Sequence, residues 1–194
     1  VFVGGASVQW LRDGINLIDD ASEIETLASS VPDSDNVVVV PAFTGLGAPY
    51  WDPYARGSIM GISRGTTKGH IARATLEGIA LQVYDIVKAM ENDSNMHITE
   101  LRVDGGASVN NMLMQFQSDV LNKPIIRPKI IETTAMGVAF LAGLAVNFWK
   151  STEEIQENWQ SETTFTPTKS RGKIDKGIEG WYKAIKALEY WTNI

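Results

Sequence analysis

Two glycine-rich turns are the stretches of this 194-residue chain whose composition and spacing could do chemistry. One is Val103-Asp104-Gly105-Gly106, where an apolar run ends in an acid and two glycines and a helical apolar pattern follows directly. Glycines let the backbone take torsions that other residues avoid, and they let a ligand approach closely. The amides after them belong to a helix N-terminus, where unpaired N–H groups and the helix dipole favour an anion. The pattern predicts a phosphate site, and the alternative is a plain strand-to-helix turn.

The other turn, Gly4-Gly5-Ala6-Ser7, also stands at the mouth of a helical pattern, since Val8, Leu11 and Ile15 follow at helical spacing. Two interpretations stay open here. Ser7 could cap the helix, or the turn could be a second contact to a ligand.

Other reactive side chains are few. The chain has two histidines, His70 and His97, and no cysteine, which leaves little material for a histidine-based metal site or a catalytic triad. His70 is expected at the surface or in a helix cap. Glu77 lies in an apolar helical pattern, where a buried carboxyl group bonded to neighbouring backbone is the expected arrangement.

Composition excludes several classes of protein. A net charge of -6 and a pI near 4.9 argue against a nucleic-acid surface, although backbone amides can still hold one phosphate group. The longest apolar run, residues 135–146, is shorter than the about 20 residues that span a bilayer. The absence of cysteine suits a reducing compartment. Because residues 1–5 begin inside an apolar run without a methionine or a leader-like pattern, we expect a chain cut from something longer.

Strand and helix patterns alternate along the chain and predict a single α/β domain. The valines of residues 37–40 indicate a strand covered on both faces. Residues 58–63 and 98–103 read as strands, and residues 124–128, bracketed by prolines, read as a strand at a sheet edge. Residues 162–173 read as a polar loop.

Helical periodicity is strongest in three places. The pattern from Thr66 to Met90 is apolar around much of its circumference and predicts a sandwiched helix. The small residues of 133–145 predict a helix packed tightly on a sheet or another helix, with ligand contact as the alternative. The stripe from Ile178 to Leu188 predicts a docked amphipathic helix. Ser22 and Glu25 fit a capping box for a further short helix.

Several segments together carry a family resemblance over nearly the whole chain. They are residues 41–57 (PAFTGLGAPYWDPYARG), 57–62, 70–77, 103–106, 110–111, 115–119, 135–137 and 141–145. The first is an irregular loop whose aromatic residues should pack on neighbouring surfaces. Together the segments resemble the FGGY carbohydrate kinases, and the loop at 41–57 favours glycerol as the substrate. The part of that family resembled is the C-terminal domain, so residues 1–194 are expected to form that domain without its N-terminal partner.

The resemblance implies a ribonuclease H-like fold of the sugar kinase, Hsp70 and actin superfamily, with a mixed sheet flanked by helices. It also implies a nucleotide site for ATP or ADP. Gly5 and Gln9 match family positions that touch nucleotide. Gly106 matches the phosphate turn, Asn110 matches a position beside the base or ribose, and Gly105 is a neighbour through its backbone. Both glycine turns would then face one adenosine polyphosphate.

The resemblance places the catalytic base before Val1 and the glycerol-binding residues in the N-terminal domain, so no residue of this chain is expected to be catalytic. Asp104 is therefore not assigned as a base. Magnesium would be held mainly through the nucleotide and the other domain, and a cytoplasmic homo-oligomer is the implied state of the full-length enzyme. The alternatives are a kinase for another polyol or sugar such as xylulose, and a non-catalytic actin-like interaction module.

Overall fold

A computed structural model describes residues 1, 3–157 and 160–192 of the chain. In order, its elements are α1 (Gly5–Asp13), α2 (Glu23–Ser29), β1 (Val38–Val40), β2 (Ser58–Met60), α3 (Lys68–Ser94), β3 (Leu101–Arg102), a 3₁₀ turn (Gly106–Val109), α4 (Asn111–Leu121), β4 (Ile125–Pro128), α5 (Thr133–Ala145), α6 (Thr152–Glu157), β5 (Ser161–Phe165) and α7 (Arg171–Thr192). The mixture of helices and strands confirms the α/β class. Val3 is not in a strand, and Phe2, part of the same apolar run, lies outside the described residues.

The long helix α3 packs against α1, α2, α4, α7 and β1. It begins in a capping box, in which the Thr67 side chain accepts from the His70 amide and His70 Nδ1 accepts from the Thr67 amide. The prediction that His70 is a capping residue is confirmed. Gly78 lies against β1, where a Cβ would overlap the Val39 carbonyl oxygen, so this crossing depends on a residue without a side chain.

The valine strand β1 lies between α3 and α7 and pairs antiparallel with β2, with Val39 opposite Ile59. Val37, Val39 and Val40 are buried, so the prediction of a strand covered on both faces is confirmed.

The other sheet has the order β3-β4-β5, with β3 parallel to β4 and β5 antiparallel to it. The strand β4 is therefore central, and the prediction that it lies at an edge is wrong. Pro124 precedes the strand, and Pro128 sits at a register shift at its end, where a missing N–H interrupts the ladder least. The prediction of a polar loop over residues 162–173 is wrong for its first four residues, which belong to the strand β5. Most residues of this strand are polar, so the sequence did not indicate a strand around its one buried apolar residue, Phe165.

The predictions for the helices α7 and α5 have opposite outcomes. In α7, Ile178, Trp181 and Leu188 are buried as predicted. In α5, Gly143 is the only residue classed as buried among those described, and Val138 and Leu141 are 65% and 71% exposed. The prediction that α5 packs tightly on a neighbour is wrong for the described part of the chain. No helix among the described residues is long and apolar enough to cross a membrane.

Candidate functional site

The turn at Gly105-Gly106 is held in a conformation that requires glycine. Gly105 has a φ of 77°, in the left-handed region. Its amide donates to the Ile131 carbonyl oxygen at 3.0 Å, and the exposed Asp104 carboxylate accepts from the Thr133 hydroxyl. The turn is thereby tied on one side to the start of α5.

The residues that follow this turn form the 3₁₀ turn rather than the first turn of an α-helix. The Ser108 amide and hydroxyl donate to the Gly105 carbonyl oxygen at 3.0 and 2.7 Å. Within the part of the chain that the structure describes, the amides of Gly106 and Ala107 have no protein acceptor. A Cβ on Gly106 would meet no atom within 4 Å. Both residues are exposed, so their unbonded amides are available to an anion.

The N-terminus of α4 is already satisfied by the protein itself. The Glu25 carboxylate of α2 accepts from the Asn111 and Met112 amides, both at 3.2 Å, and Asn110 Oδ1 accepts from the Leu113 amide at 2.8 Å. A side-chain carboxylate thus occupies the position that the sequence assigned to a phosphate, and the open amides are those of the 3₁₀ turn. The prediction that Ser22 and Glu25 form a capping box is also wrong, since Ser22 makes no cap hydrogen bond.

The turn at Gly4-Gly5, which comes first in the chain, makes fewer contacts with other elements. Gly5 begins α1, and Gly4 precedes it without a side-chain cap. Ser7 is inside the helix and donates its hydroxyl proton to the Gly4 carbonyl oxygen, so it is not the N-cap. Gln82 of α3 donates from Nε2 to the Val3 carbonyl oxygen at 3.2 Å.

The five candidate nucleotide residues form two groups. Gly105, Gly106 and Asn110 lie together around the 3₁₀ turn, and Asn110 is buried by its cap to α4. Gly5 and Gln9 are exposed and, at a spacing of four, lie on one face of α1. No hydrogen bond or ion pair among the described residues joins the two groups. That both groups face one ligand stays a prediction.

A cavity of about 300 Å³ lies beside the first turn, with Val1 and Gln82 in its wall. Asp85, which is 3% exposed, also lines it and accepts from the Tyr50 hydroxyl and from Trp181 Nε1, both at 2.7 Å. Burial raises the pKa of Asp85, and burial together with this carboxylate raises the pKa of Tyr50. The sequence did not point to Asp85, because both of its partners are distant in the chain.

The same interaction anchors the aromatic loop at 41–57. Tyr50 packs against the core, and Phe43 contacts Trp10 edge-on at 5.3 Å. Trp51 and Tyr54 are 72% and 74% exposed. The expectation that all the loop's aromatic rings pack on neighbouring surfaces is therefore wrong for these two.

A smaller cavity of about 170 Å³ lies between α3 and α4. Its walls include Glu77, which pairs with Arg73 at 3.0 Å, so the expected bond from Glu77 to backbone is replaced by an ion pair. Lys169 lies over the Phe116 ring at 4.9 Å, and burial lowers the pKa of Lys169. Neither cavity is lined by any of the five candidate nucleotide residues. The described residues contain no cluster of three or more carboxylates or histidines that could hold a metal ion.

Comparison with known families finds a match over residues 1–146 to the FGGY family of carbohydrate kinases, C-terminal domain. Among individual proteins, the glycerol kinase of Dichelobacter nodosus is 56% identical over 193 residues, which cover 100% of this chain and 39% of that protein. The glycerol kinase of Deinococcus radiodurans is also 56% identical and is covered to 38%. The chain thus spans well under half the length of these relatives.

Solved structures agree with these matches. The crystal structure of Plasmodium falciparum glycerol kinase with ADP superimposes with a TM-score of 0.84 and 38% identity, over 95% of this chain and 37% of that one. A ligand-bound xylulose kinase from Lactobacillus acidophilus superimposes with a TM-score of 0.81 and 27% identity, over 96% of this chain and 38% of its own. The expected fold, that of the actin-like sugar kinases, is confirmed.

Proposed function

Because the chain belongs to the FGGY family of carbohydrate kinases and matches its C-terminal domain, we propose that residues 1–194 are the nucleotide-binding domain of a glycerol kinase. The complete enzyme would transfer the γ-phosphoryl group of ATP to a hydroxyl of glycerol, giving sn-glycerol 3-phosphate. The N-terminal domain would be another part of the same polypeptide. A cytoplasmic, homo-oligomeric enzyme is part of this proposal.

The observation that carries the nucleotide assignment is the pair of open amides at Gly106 and Ala107, presented by a turn whose first glycine has a positive φ. Such amides can hold a phosphate oxygen without any cationic side chain. The ADP in the Plasmodium falciparum structure supports the same ligand class. Gly105 would contribute through its backbone. Asn110 Nδ2 is the group left to face the base or ribose, because Oδ1 is committed to the cap. Gly5 and Gln9 would form the second side of the site.

The chain's own residues supply positioning rather than proton transfer. Phosphoryl transfer depends mainly on alignment of the reactants and on stabilisation of phosphate charge. We assign no catalytic base here, since Asp104 is exposed and bonded to Thr133. Magnesium, when bound, would neutralise phosphate charge and be held chiefly by the nucleotide and the N-terminal domain. Closure of the two domains would align the hydroxyl and exclude water.

Nucleotide titration and a phosphorylation assay test this proposal. The 194-residue chain should bind ADP weakly and should not phosphorylate glycerol, whereas the complete kinase should do both. Glycerol phosphorylation by the chain alone would contradict the assignment of the base. A panel of polyols and sugars on the complete kinase separates glycerol from xylulose, and absence of ADP binding even there would favour an interaction module.

Gly106 offers the sharpest single substitution. Gly106→Val adds a side chain that meets no protein atom within 4 Å but projects where a phosphate would lie. We expect ADP affinity to fall about tenfold or more, equivalent to about 1.4 kcal/mol, with the unfolding midpoint nearly unchanged. Gly137→Val on α5 is the control, because its Cβ also meets nothing within 4 Å. Equal ADP affinity in the two variants would contradict the phosphate-turn assignment.

A further inference from the structure

Arg127 of β4 is a buried cation, 8% exposed. Its guanidinium donates hydrogen bonds both to residues around the 3₁₀ turn and to residues of β5. Nη1 donates to the carbonyl oxygens of Ser108 and Val109 at 2.9 and 3.2 Å and to Asn111 Oδ1 at 3.0 Å. Nε donates to Glu162 Oε2 of β5 at 2.7 Å.

The remaining contacts fix the plane of the guanidinium. Nη2 reaches Thr163 Oγ1 at 3.4 Å, and the group lies over the Phe165 ring at 5.3 Å from its centroid. A planar group held on its edges and on its face has little freedom to rotate. Arg127 therefore joins the central strand β4 to the backbone of the 3₁₀ turn through a rigid side-chain group.

The two carbonyl oxygens that Arg127 holds belong to the last residues of the 3₁₀ turn, directly after the open amides. Because the turn has only four residues and is closed by its own hydrogen bonds, restraining its last carbonyls limits the motion of the backbone that carries the open amides. The cap of α4 by Glu25 holds the following amides from the opposite element. The guanidinium of Arg127 thus holds this turn from the central strand β4.

We infer that Arg127 is a positioning residue for nucleotide binding, which keeps the amides of Gly106 and Ala107 aimed at a phosphate without touching it. This inference rests on the proposed function. A lysine cannot replace it, since a single ammonium group cannot reach two carbonyl oxygens, an amide oxygen and a carboxylate in one fixed plane.

Arg73 provides a matched control. Its side chain is 11% exposed against 10% for Arg127, it pairs with a glutamate at 3.0 Å, and it donates to one backbone carbonyl, that of Val31, at 3.0 Å. Arg73 makes no hydrogen bond to the 3₁₀ turn. Arg73→Lys and Arg127→Lys therefore remove comparable buried interactions at different places.

The experiment titrates ADP into the wild-type chain, Arg127→Lys and Arg73→Lys, with hydrogen exchange of the bonded Ser108 and Asn110 amides and the urea midpoint measured in parallel. We expect Arg127→Lys to weaken ADP binding about tenfold, because several charge-assisted hydrogen bonds to the turn are lost, and to speed exchange of these two amides. Arg73→Lys should lower the urea midpoint by a similar amount while ADP affinity changes less than about twofold.

Other results would contradict either the positioning role of Arg127 or the proposed function. If the wild-type chain binds ADP and both variants weaken it equally, or neither does, the positioning role is wrong while the proposed function stands. If the wild-type chain does not bind ADP, the same variants are compared in the complete kinase; if the complete kinase does not bind ADP either, the proposed function fails and the positioning role fails with it.

A second variant covers the case in which Arg127→Lys does not fold. Glu162 is half-exposed, so Glu162→Gln removes the charge partner of Arg127 at little cost to folding. We expect about twofold to fivefold weaker ADP binding with faster exchange of the Ser108 and Asn110 amides. Unchanged affinity and unchanged exchange in this variant would overturn the inference.

Discussion

The two glycine turns look alike in sequence but are supported very differently. Around Gly105-Gly106, contacts come from β4, α2 and the start of α5, through Arg127, Glu25 and Thr133. Around Gly4-Gly5 the structure describes two side-chain contacts: the Ser7 hydroxyl within α1, and Gln82 from α3, which bonds to Val3. The turn at Gly105-Gly106 is therefore preorganised by the described residues, whereas the turn at Gly4-Gly5 is an exposed helix start beside a cavity.

The largest effect is expected at Gly105. Gly105→Val forces a β-branched residue to a φ of 77°, which costs about 1–3 kcal/mol and reorients the open amides. We expect lower stability in urea and loss of measurable ADP binding. Gly5→Val is the matched variant, since Gly5 is helical and its Cβ meets nothing within 4 Å. It should change the free energy of unfolding by less than about 0.5 kcal/mol. Equal destabilisation of both variants would remove the contrast between the turns.

An intermediate effect is expected at the cap of α4. Asn110→Ala removes the acceptor for the Leu113 amide, which is buried, and should cost about 1–2 kcal/mol of stability in urea denaturation. Asn110→Asp keeps an acceptor oxygen and should retain most of that stability. The corresponding change in the first turn, Ser7→Ala, removes one hydroxyl donor and should cost about 1 kcal/mol. A larger loss of unfolding free energy in Ser7→Ala than in Asn110→Ala would contradict the conclusion that the Gly105-Gly106 turn is the better supported of the two.

The smallest effect is a pH dependence confined to the neighbourhood of the first turn. Burial raises the pKa of Asp85 in the folded state, so folding favours its protonated form, and this contribution to stability is lost as pH rises through the folded pKa. Asp85→Asn keeps an acceptor for Tyr50 and Trp181 and removes the titration. We expect the stability of the wild-type chain, relative to this variant, to fall as pH rises above the ordinary pKa of an aspartate, about 4. A difference that is constant with pH would contradict the raised pKa of Asp85 in the folded state.

Local signals in the sequence account for much of the fold. The helix cap by His70, the valine strand β1 and the apolar stripe of α7 each form as predicted, because each depends mainly on interactions within a few residues or on the apolar residues of one element. The family resemblance extended this to the actin-like class, and the solved structures agree.

The predictions that are wrong concern residues and elements whose contacts are made with distant parts of the chain. The carboxylate of Glu25 caps a helix that starts 86 residues later. The strand β4 is central because β5, which follows it by more than thirty residues, pairs with its free edge. In α5 the apolar pattern is real, but the described residues supply little surface to cover it. None of these outcomes has a local pattern that could indicate it.

For the site itself, the sequence alone determined which residues are glycine and where a backbone turn must occur, since torsional freedom is a property of the residue. Tertiary structure decided which amides are open. The first amides of α4 donate to a carboxylate from another element, whereas the Gly106 and Ala107 amides have no acceptor among the described residues and Arg127 bonds the carbonyl oxygens that follow them. The reason is that hydrogen-bond donors are satisfied by whatever the fold brings near, and proximity in space is not encoded at any one position.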